Sequence, residues 1–248
     1  MGRREEYRAQ LRALQPADWE PYLRTHSGLP GARANLELAQ AVADEAGPGQ
    51  LDRLLASDED YLVLCATIGL GRLLADGAGD VAERLRSYAT DARWRVREGV
   101  AMGLQRLGDA NLPRLLDLAD CWARDPHPLV QRAAVAGICE PRFLARPGAA
   151  TRAIEMCERL TQQIAARPRG ERNGGAVRTL RQALGYCWSV GVAADPDFGL
   201  PRFQRLSASD DPDVAWIARE NAKKARLANL LLSRRETSRP NLKPDSAR

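Results

Sequence analysis

D-A-R-W-R-V-R-E-G-V-A-M-G-L, residues 91–104, and D-P-H-P-L-V-Q-R-A-A-V-A-G-I, residues 125–138, are two versions of one unit set 34 residues apart. Superposed, Val96 matches Val130, Val100 matches Ala134, Gly103 matches Gly137 and Leu104 matches Ile138. One more step of 34 toward the N-terminus brings Leu62, Ala66, Gly69 and Leu70 into the same register. A helix-forming unit repeated at this interval is the signature of stacked helical repeats, each burying its apolar face against the next. The predicted fold is therefore all-α: an α-solenoid forming a right-handed superhelix with a concave groove, about five helix pairs following an N-terminal cap.

Composition agrees with helix. Hydrophobic residues make up 44% of the 248 and charged residues 28%, an ordinary soluble balance, while aromatics are only 5%. Ala, Leu and Arg dominate, which favours helix over strand. Of the 37 basic residues three are Lys (Lys223, Lys224, Lys243) and 34 are Arg, a skew that codon bias explains. The formal net charge is +5, and the stretch from Ser233 to Arg248 carries five basic and two acidic residues.

Punctuation divides the chain into helices. Residues 3–14 read as a charged helix, a second begins at P-A-D-W with Asp18 as its cap, and Ala32–Ala46 is amphipathic and ended by Gly47-Pro48-Gly49. Three pairs follow: Leu51–Ala56 with Tyr61–Ala75, Val81–Ala89 with Arg93–Leu107, and Leu112–Arg124 with Leu129–Glu140, which Pro141-Arg142 stops. Asp91 and Asp125 can accept from the amides opening the second helices, and Pro128 presets φ for the first turn. Thr151–Arg167 pairs with Ala176–Ala194 across a flexible connector, P-R-G-E-R-N-G-G; Leu200–Ser207 pairs with Val214–Leu232. The expected organisation is a helical cap over 1–49, a repeat array over 50–232 and a basic, disordered tail over 233–248.

Several chemistries lack their residues. The two histidines, His26 and His127, have no Cys or carboxylate at metal-ligand spacing, and His127 is expected to face solvent. There is no G-x-x-x-x-G-K-[ST] and no strand-led G-x-G-x-x-G, so neither nucleotide hydrolysis nor dinucleotide binding is indicated, and no cofactor or metal is expected. Cys65, Cys121, Cys139, Cys157 and Cys187 are odd in number, form no C-x-x-C and sit in apolar helical runs as small hydrophobes. With no apolar leader and no long apolar run, the expectation is a monomeric cytoplasmic protein without membrane contact. Trp122, Trp188 and Trp216, with Met102 and Met156, lie on apolar stripes as core residues.

Paired helices, an Asp at the turn and a V-x-R start to the second helix resemble the HEAT-repeat superfamily over roughly Gln50 to Leu232. In such solenoids the second helices line the concave, binding surface. That placement would expose Arg95, Arg97, Arg106, Arg132, Arg178, Arg181, Arg219 and Lys223 as a basic stripe; the competing expectation is that each pairs with an acid of the adjoining repeat.

The segment L-R-Q-A-L-G-Y-C-W-S-V, residues 180–190, is similar to a late helix of the bacterial alkylpurine DNA glycosylases built from HEAT-like repeats. That resemblance implies a basic concave groove gripping the DNA backbone. It also implies a Trp and an acid four residues apart on one helix, an Arg on the next repeat and a late aromatic. Here Trp94, Glu98, Arg132 and Tyr186 would fill those roles, with Glu98 catalytic and Arg97, Arg178 and Arg181 adding DNA contacts. A carboxylate would stabilise the cationic sugar formed as a glycosidic bond breaks, and flat aromatics would contact a cationic purine. The chain departs from the pattern: Glu stands for Asp, Tyr for Trp, and the doubled Trp and second Asp are absent. The alternative expectation is a protein–protein scaffold holding a partner helix or acidic segment in the groove.

Overall fold

The computed structural model describes residues 2–78 and 80–237, and among them there is no strand. Among the described residues fifteen α-helices follow one another: α1 (Arg3–Ala13), α2 (Trp19–His26), α3 (Leu36–Glu45), α4 (Pro48–Leu55), α5 (Asp60–Ala75), α6 (Val81–Tyr88), α7 (Trp94–Ala110), α8 (Leu112–Trp122), α9 (Pro128–Ile138), α10 (Pro141–Leu144), α11 (Ala149–Ala166), α12 (Gly175–Ala194), α13 (Pro196–Ser207), α14 (Pro212–Ala222) and α15 (Ala225–Thr237).

The helices form an α-solenoid of two layers. One layer is a row in chain order, α1 against α3, then α5, α7, α9, α12 and α14; the other holds α4, α6, α8, α11 and α13, each packed on its own repeat's second helix. The repeat register accounts for the burial. Leu62, Ala66, Leu70, Val96, Val100, Leu104, Val130, Ala134 and Ile138 are all buried, as are Gly69, Gly103 and Gly137. Within the row, α5 and α7 come into backbone contact: a Cβ on Gly71 would lie 2.1 Å from the Gly103 carbonyl oxygen. Only glycine permits such an approach.

The turns work largely as their residues imply. Asp91 accepts from the Arg93 amide and Asp125 from the His127 amide, both at 2.8 Å, as Asx turns leading into α7 and α9. Asp211 accepts from the Asp213 and Val214 amides and caps α14. Exposed His127 caps α9, its Nδ1 accepting from Leu129 N at 3.2 Å.

Several boundaries differ from the sequence-based expectation. Asp18 makes no capping bond, and a 3₁₀ turn (Pro16–Asp18) precedes α2. Helix α3 starts at Leu36, not Ala32, because Asn35 supplies the cap, accepting from Leu38 N at 3.1 Å. Pro141 opens the short α10 as well as stopping α9. The stretch from Val214 to Leu232 is two helices, broken at Lys223-Lys224. Helix α15 runs to Thr237, into the expected tail; the rest of that tail, 238–248, lies outside the described residues. The connector at 168–175 is pinned rather than loose. Arg172, only 9% exposed, donates to the Arg167 and Ala165 carbonyls and pairs with Asp211 at 2.6 Å. Four cysteines are buried as expected, but Cys121 faces solvent.

Arginine ties the repeats together. Arg84 reaches Asp52, Arg86 reaches Asp125, Arg142 reaches Asp109, and Arg152 reaches Asp117 and Asp120. At the N-terminal end Asp44 gathers Arg4 from α1 and Arg106 from α7. Burial alone would push the Asp44 carboxyl up, but hydrogen bonds from Arg4 and Arg106 hold it below its ordinary 3.8. A carboxyl depressed on folding stabilises above its unfolded value and loses that contribution as pH falls through the folded one. Asp44→Asn is thus expected to melt below wild type at neutral pH, with the gap closing as pH drops below about 4. Melting curves of both proteins between pH 7 and 3 check this, and a gap of constant size would contradict it.

Candidate nucleic-acid interface

Trp94 is the first residue of α7, and its indole is 58% exposed. More than half of a large aromatic is thus left in water at the start of a helix. The Arg95 guanidinium lies 4.6 Å from the ring centroid and also reaches Asp60 at 3.6 Å. One turn along, the Glu98 side chain is 44% exposed and meets Arg132 of α9, Nη2 to Oε2, at 2.6 Å. Arg132 holds the same fifth place in α9 that Glu98 holds in α7, so the 34-residue register brings the two together. Its other nitrogen donates to the Arg97 carbonyl at 3.0 Å.

Arg97 makes no ion pair with a carboxylate among the described residues. Its Nη1 donates to the Asp91 and Ala92 carbonyls at 2.6 and 2.8 Å. Burial, and then the neighbouring Arg132 cation, lowers its pKa below the ordinary guanidinium value. Arg132 thus takes the Glu98 carboxylate, while Arg97 is held by backbone carbonyls and feels the Asp91 carboxylate only at longer range.

Tyr186 belongs to different company. It is 42% exposed on α12, and its hydroxyl accepts from Arg226 Nη2 of α15 at 2.9 Å. Arg226 and Lys224 lie 5.0 and 5.8 Å from the ring centroid. Helix α12 is nonetheless the row neighbour of α9, with Cys187 Sγ 3.8 Å from the Val135 carbonyl. The four residues singled out from the sequence thus fall on three consecutive helices of one layer, with Trp94, Glu98 and Arg132 as one cluster and Tyr186 as part of another.

The expected stripe is mostly neutralised. Arg95 pairs with Asp60, Arg106 with Asp44, Arg132 with Glu98, Arg181 with Asp213 and Lys223 with Glu220. Arg178 and Arg219 are exposed and make no ion pair among the described residues. Trp216 is half-buried rather than core, with Arg181 5.1 Å from its ring centroid, whereas Trp122 and Trp188 are buried. Sequence reasoning missed Lys224 and Arg226; the run K-K-A-R at 223–226 was the available signal. His26 is stacked on Tyr22, and no group of three or more potential metal ligands occurs among the described residues. No helix among them is long and apolar enough to cross a membrane.

A layered array of helical repeats with an aromatic and charged face on its second helices is the class of protein these features define. Among solved structures, AlkD2 from Streptococcus mutans shares that architecture, with a TM-score of 0.64 over 84% of this chain and 98% of its own, at 14% identity. At that identity the likeness is one of fold. Two engineered proteins align more loosely, at TM-scores of 0.39 and 0.38 and 17% identity, over 93% and 94% of this chain and 99% and 98% of theirs. No protein-family model and no curated protein matches the sequence.

Proposed function

We propose that the chain binds duplex DNA across the face of its second helices, with Trp94, Glu98, Arg97 and Arg132 at the centre of contact. The observation that carries this reading is the exposed Trp94 indole at the start of the helix that also carries Arg97 and Glu98, where Glu98 pairs with Arg132 while Arg97 donates to backbone carbonyls. Arginine suits phosphate because its planar donors can meet two oxygens at once, and an indole offers a flat face to deoxyribose or a cationic base. Similarity in fold to AlkD2, and in residues 180–190 to the alkylpurine DNA glycosylases, supports the same reading. Within it, Glu98 is the group placed to stabilise a developing cationic sugar, and Arg178 and Arg181 are outlying contacts.

The alternative is a protein-interaction scaffold. It is favoured by one observation: most of the arginines on this face already have acidic partners, so the surface is patterned rather than uniformly basic.

A labelled, undamaged duplex titrated with protein over a salt series separates the two. DNA binding through two to four phosphates predicts a log–log slope of about −2 to −4, and Trp94→Ala should weaken binding roughly tenfold. No binding at 50 mM salt would remove the DNA reading. Base release from an alkylated duplex, compared between wild type and Glu98→Gln, addresses catalysis; equal background release from both leaves a binding module.

A further inference from the structure

We infer that Lys224 and Arg226, seated on Tyr186, form a second phosphate-contact site on DNA, at the C-terminal end of the array and separate from the Trp94 cluster. The inference rests on the DNA-binding reading above and adds to it a surface that the repeat register does not mark.

The first support is geometric. Two cations from one short stretch converge on one aromatic ring, at 5.0 and 5.8 Å from its centroid. Arg226 is further fixed by its bond to the Tyr186 hydroxyl. Neither Lys224 nor Arg226 forms an ion pair among the described residues. Like charges held this close repel, and the ring's quadrupole offsets only part of that. An anion placed between them would relieve the rest.

Charge balance supports it independently. Arg219, Lys223 and Lys224 all act on Glu220, whose carboxyl is held low, first by its hydrogen bond from Lys223 at 2.6 Å and then by the other two cations. Lys224 shares the Tyr186 ring with Arg226, which adds a fourth cation to the group. Asp213, the next acid, is buried and already engaged by Arg172 and Arg181. Elsewhere on the array many arginines are matched with acids of the adjoining repeat, and those without an ion pair do not gather on one aromatic ring. The class of ligand follows from its parts. Lys, Arg and the Tyr hydroxyl donate to phosphate oxygens, which fixes the register of a duplex without reading its sequence. The group sits beside α12 and α14, and α12 adjoins α9 with Arg132, so one duplex strand can meet both clusters along the same row.

The test uses the full chain, a labelled undamaged duplex and four salt concentrations. The double variant Lys224→Gln/Arg226→Gln removes two positive charges. The control Arg53→Gln/Arg146→Gln removes two from exposed side chains, on α4 and after α10, that make no ion pair among the described residues. Circular dichroism and melting confirm that both fold. The expected result is a log–log slope shallower by about 2 for the first variant and nearly unchanged for the control, since each phosphate contact contributes roughly 0.9. Wild-type binding with equal slopes in all three proteins would overturn this inference while leaving the DNA reading intact. Equal loss in both variants would also overturn it, by assigning the effect to net charge. Absence of wild-type binding removes both. Capture of polyglutamate in place of DNA, lost in the first variant only, would reassign the patch to an acidic protein partner.

Discussion

Gly71→Ala is expected to lower the melting temperature by roughly 6–12 °C, because it destabilises the fold by about 3 kcal/mol in a chain where each kcal/mol moves the midpoint 2–4 °C. The added Cβ would stand 2.1 Å from the Gly103 oxygen, 2.3 Å from its Cα and 2.4 Å from its carbonyl carbon. All three are backbone atoms, so no rotamer change gives relief. Ordinary contact begins near 3.4 Å, and reaching it requires α5 and α7 to separate by more than 1 Å along their contact. Neighbouring positions tighten the constraint: a Cβ on Gly99 would meet Thr67 Oγ1 at 2.1 Å, and one on Gly103 the Thr67 carbonyl at 2.8 Å. Close packing transmits such a shift instead of absorbing it. Helix α7 carries Trp94 and Glu98, so the variant should also weaken any ligand held there. Gly49→Ala is the matched control. Its Cβ meets nothing within 4 Å and it lies inside α4, where alanine is preferred by up to about 1 kcal/mol. A Gly71→Ala protein melting within a degree or two of wild type would mean that the two helices are not in backbone contact.

The repeat register made the main structural facts legible. It identified the buried face of α5, α7 and α9, and it put Glu98 and Arg132 in equivalent places one repeat apart, which their 2.6 Å contact reflects. The register does not reach ion pairs between places that are not equivalent in the repeat. Arg106 finds Asp44 from 62 residues away, and Arg172 finds Asp211 from 39. These depend on how tightly successive repeats stack, a property of the assembled layers. The loop at 168–175 misleads for the same reason: its glycines advertise freedom, and one arginine between them removes it. Helix boundaries failed where the signal was a cap rather than a breaker, as at Asn35. They also failed where there was no local signal, as between α14 and α15: N-A-K-K-A-R contains neither glycine nor proline. Joining those helices hid Lys224 and Arg226, and with them the surroundings of Tyr186.

Asn221→Leu is the second substitution with a large expected cost, about 3 kcal/mol or more. Asn221 is fully buried near the end of α14, and its amide enters the backbone ladder of α12. Its Nδ2 donates to the Leu184 and Ile217 carbonyls, and its Oδ1 accepts from Ser189 N, each at 2.8 Å. Leucine has the same branched skeleton with bulkier methyl ends, so no cavity forms. The cost is the buried carbonyl and amide left without their side-chain partner, each worth roughly 1–3 kcal/mol. Tyr186 lies between the two clamped positions, 184 and 189, so the same amide sets the helix segment that presents its ring to Lys224 and Arg226. Asn221→Asp distinguishes clamping from simple volume. It keeps the acceptor for Ser189 N, loses the donor to Leu184 and buries a charge, so it should be no more stable than the leucine variant. Chemical unfolding of the three proteins measures the ranking, expected as wild type well above leucine and leucine at or above aspartate. If the leucine variant unfolds at the same denaturant concentration as wild type, the amide is not clamping α12, and Tyr186 owes its position to packing alone.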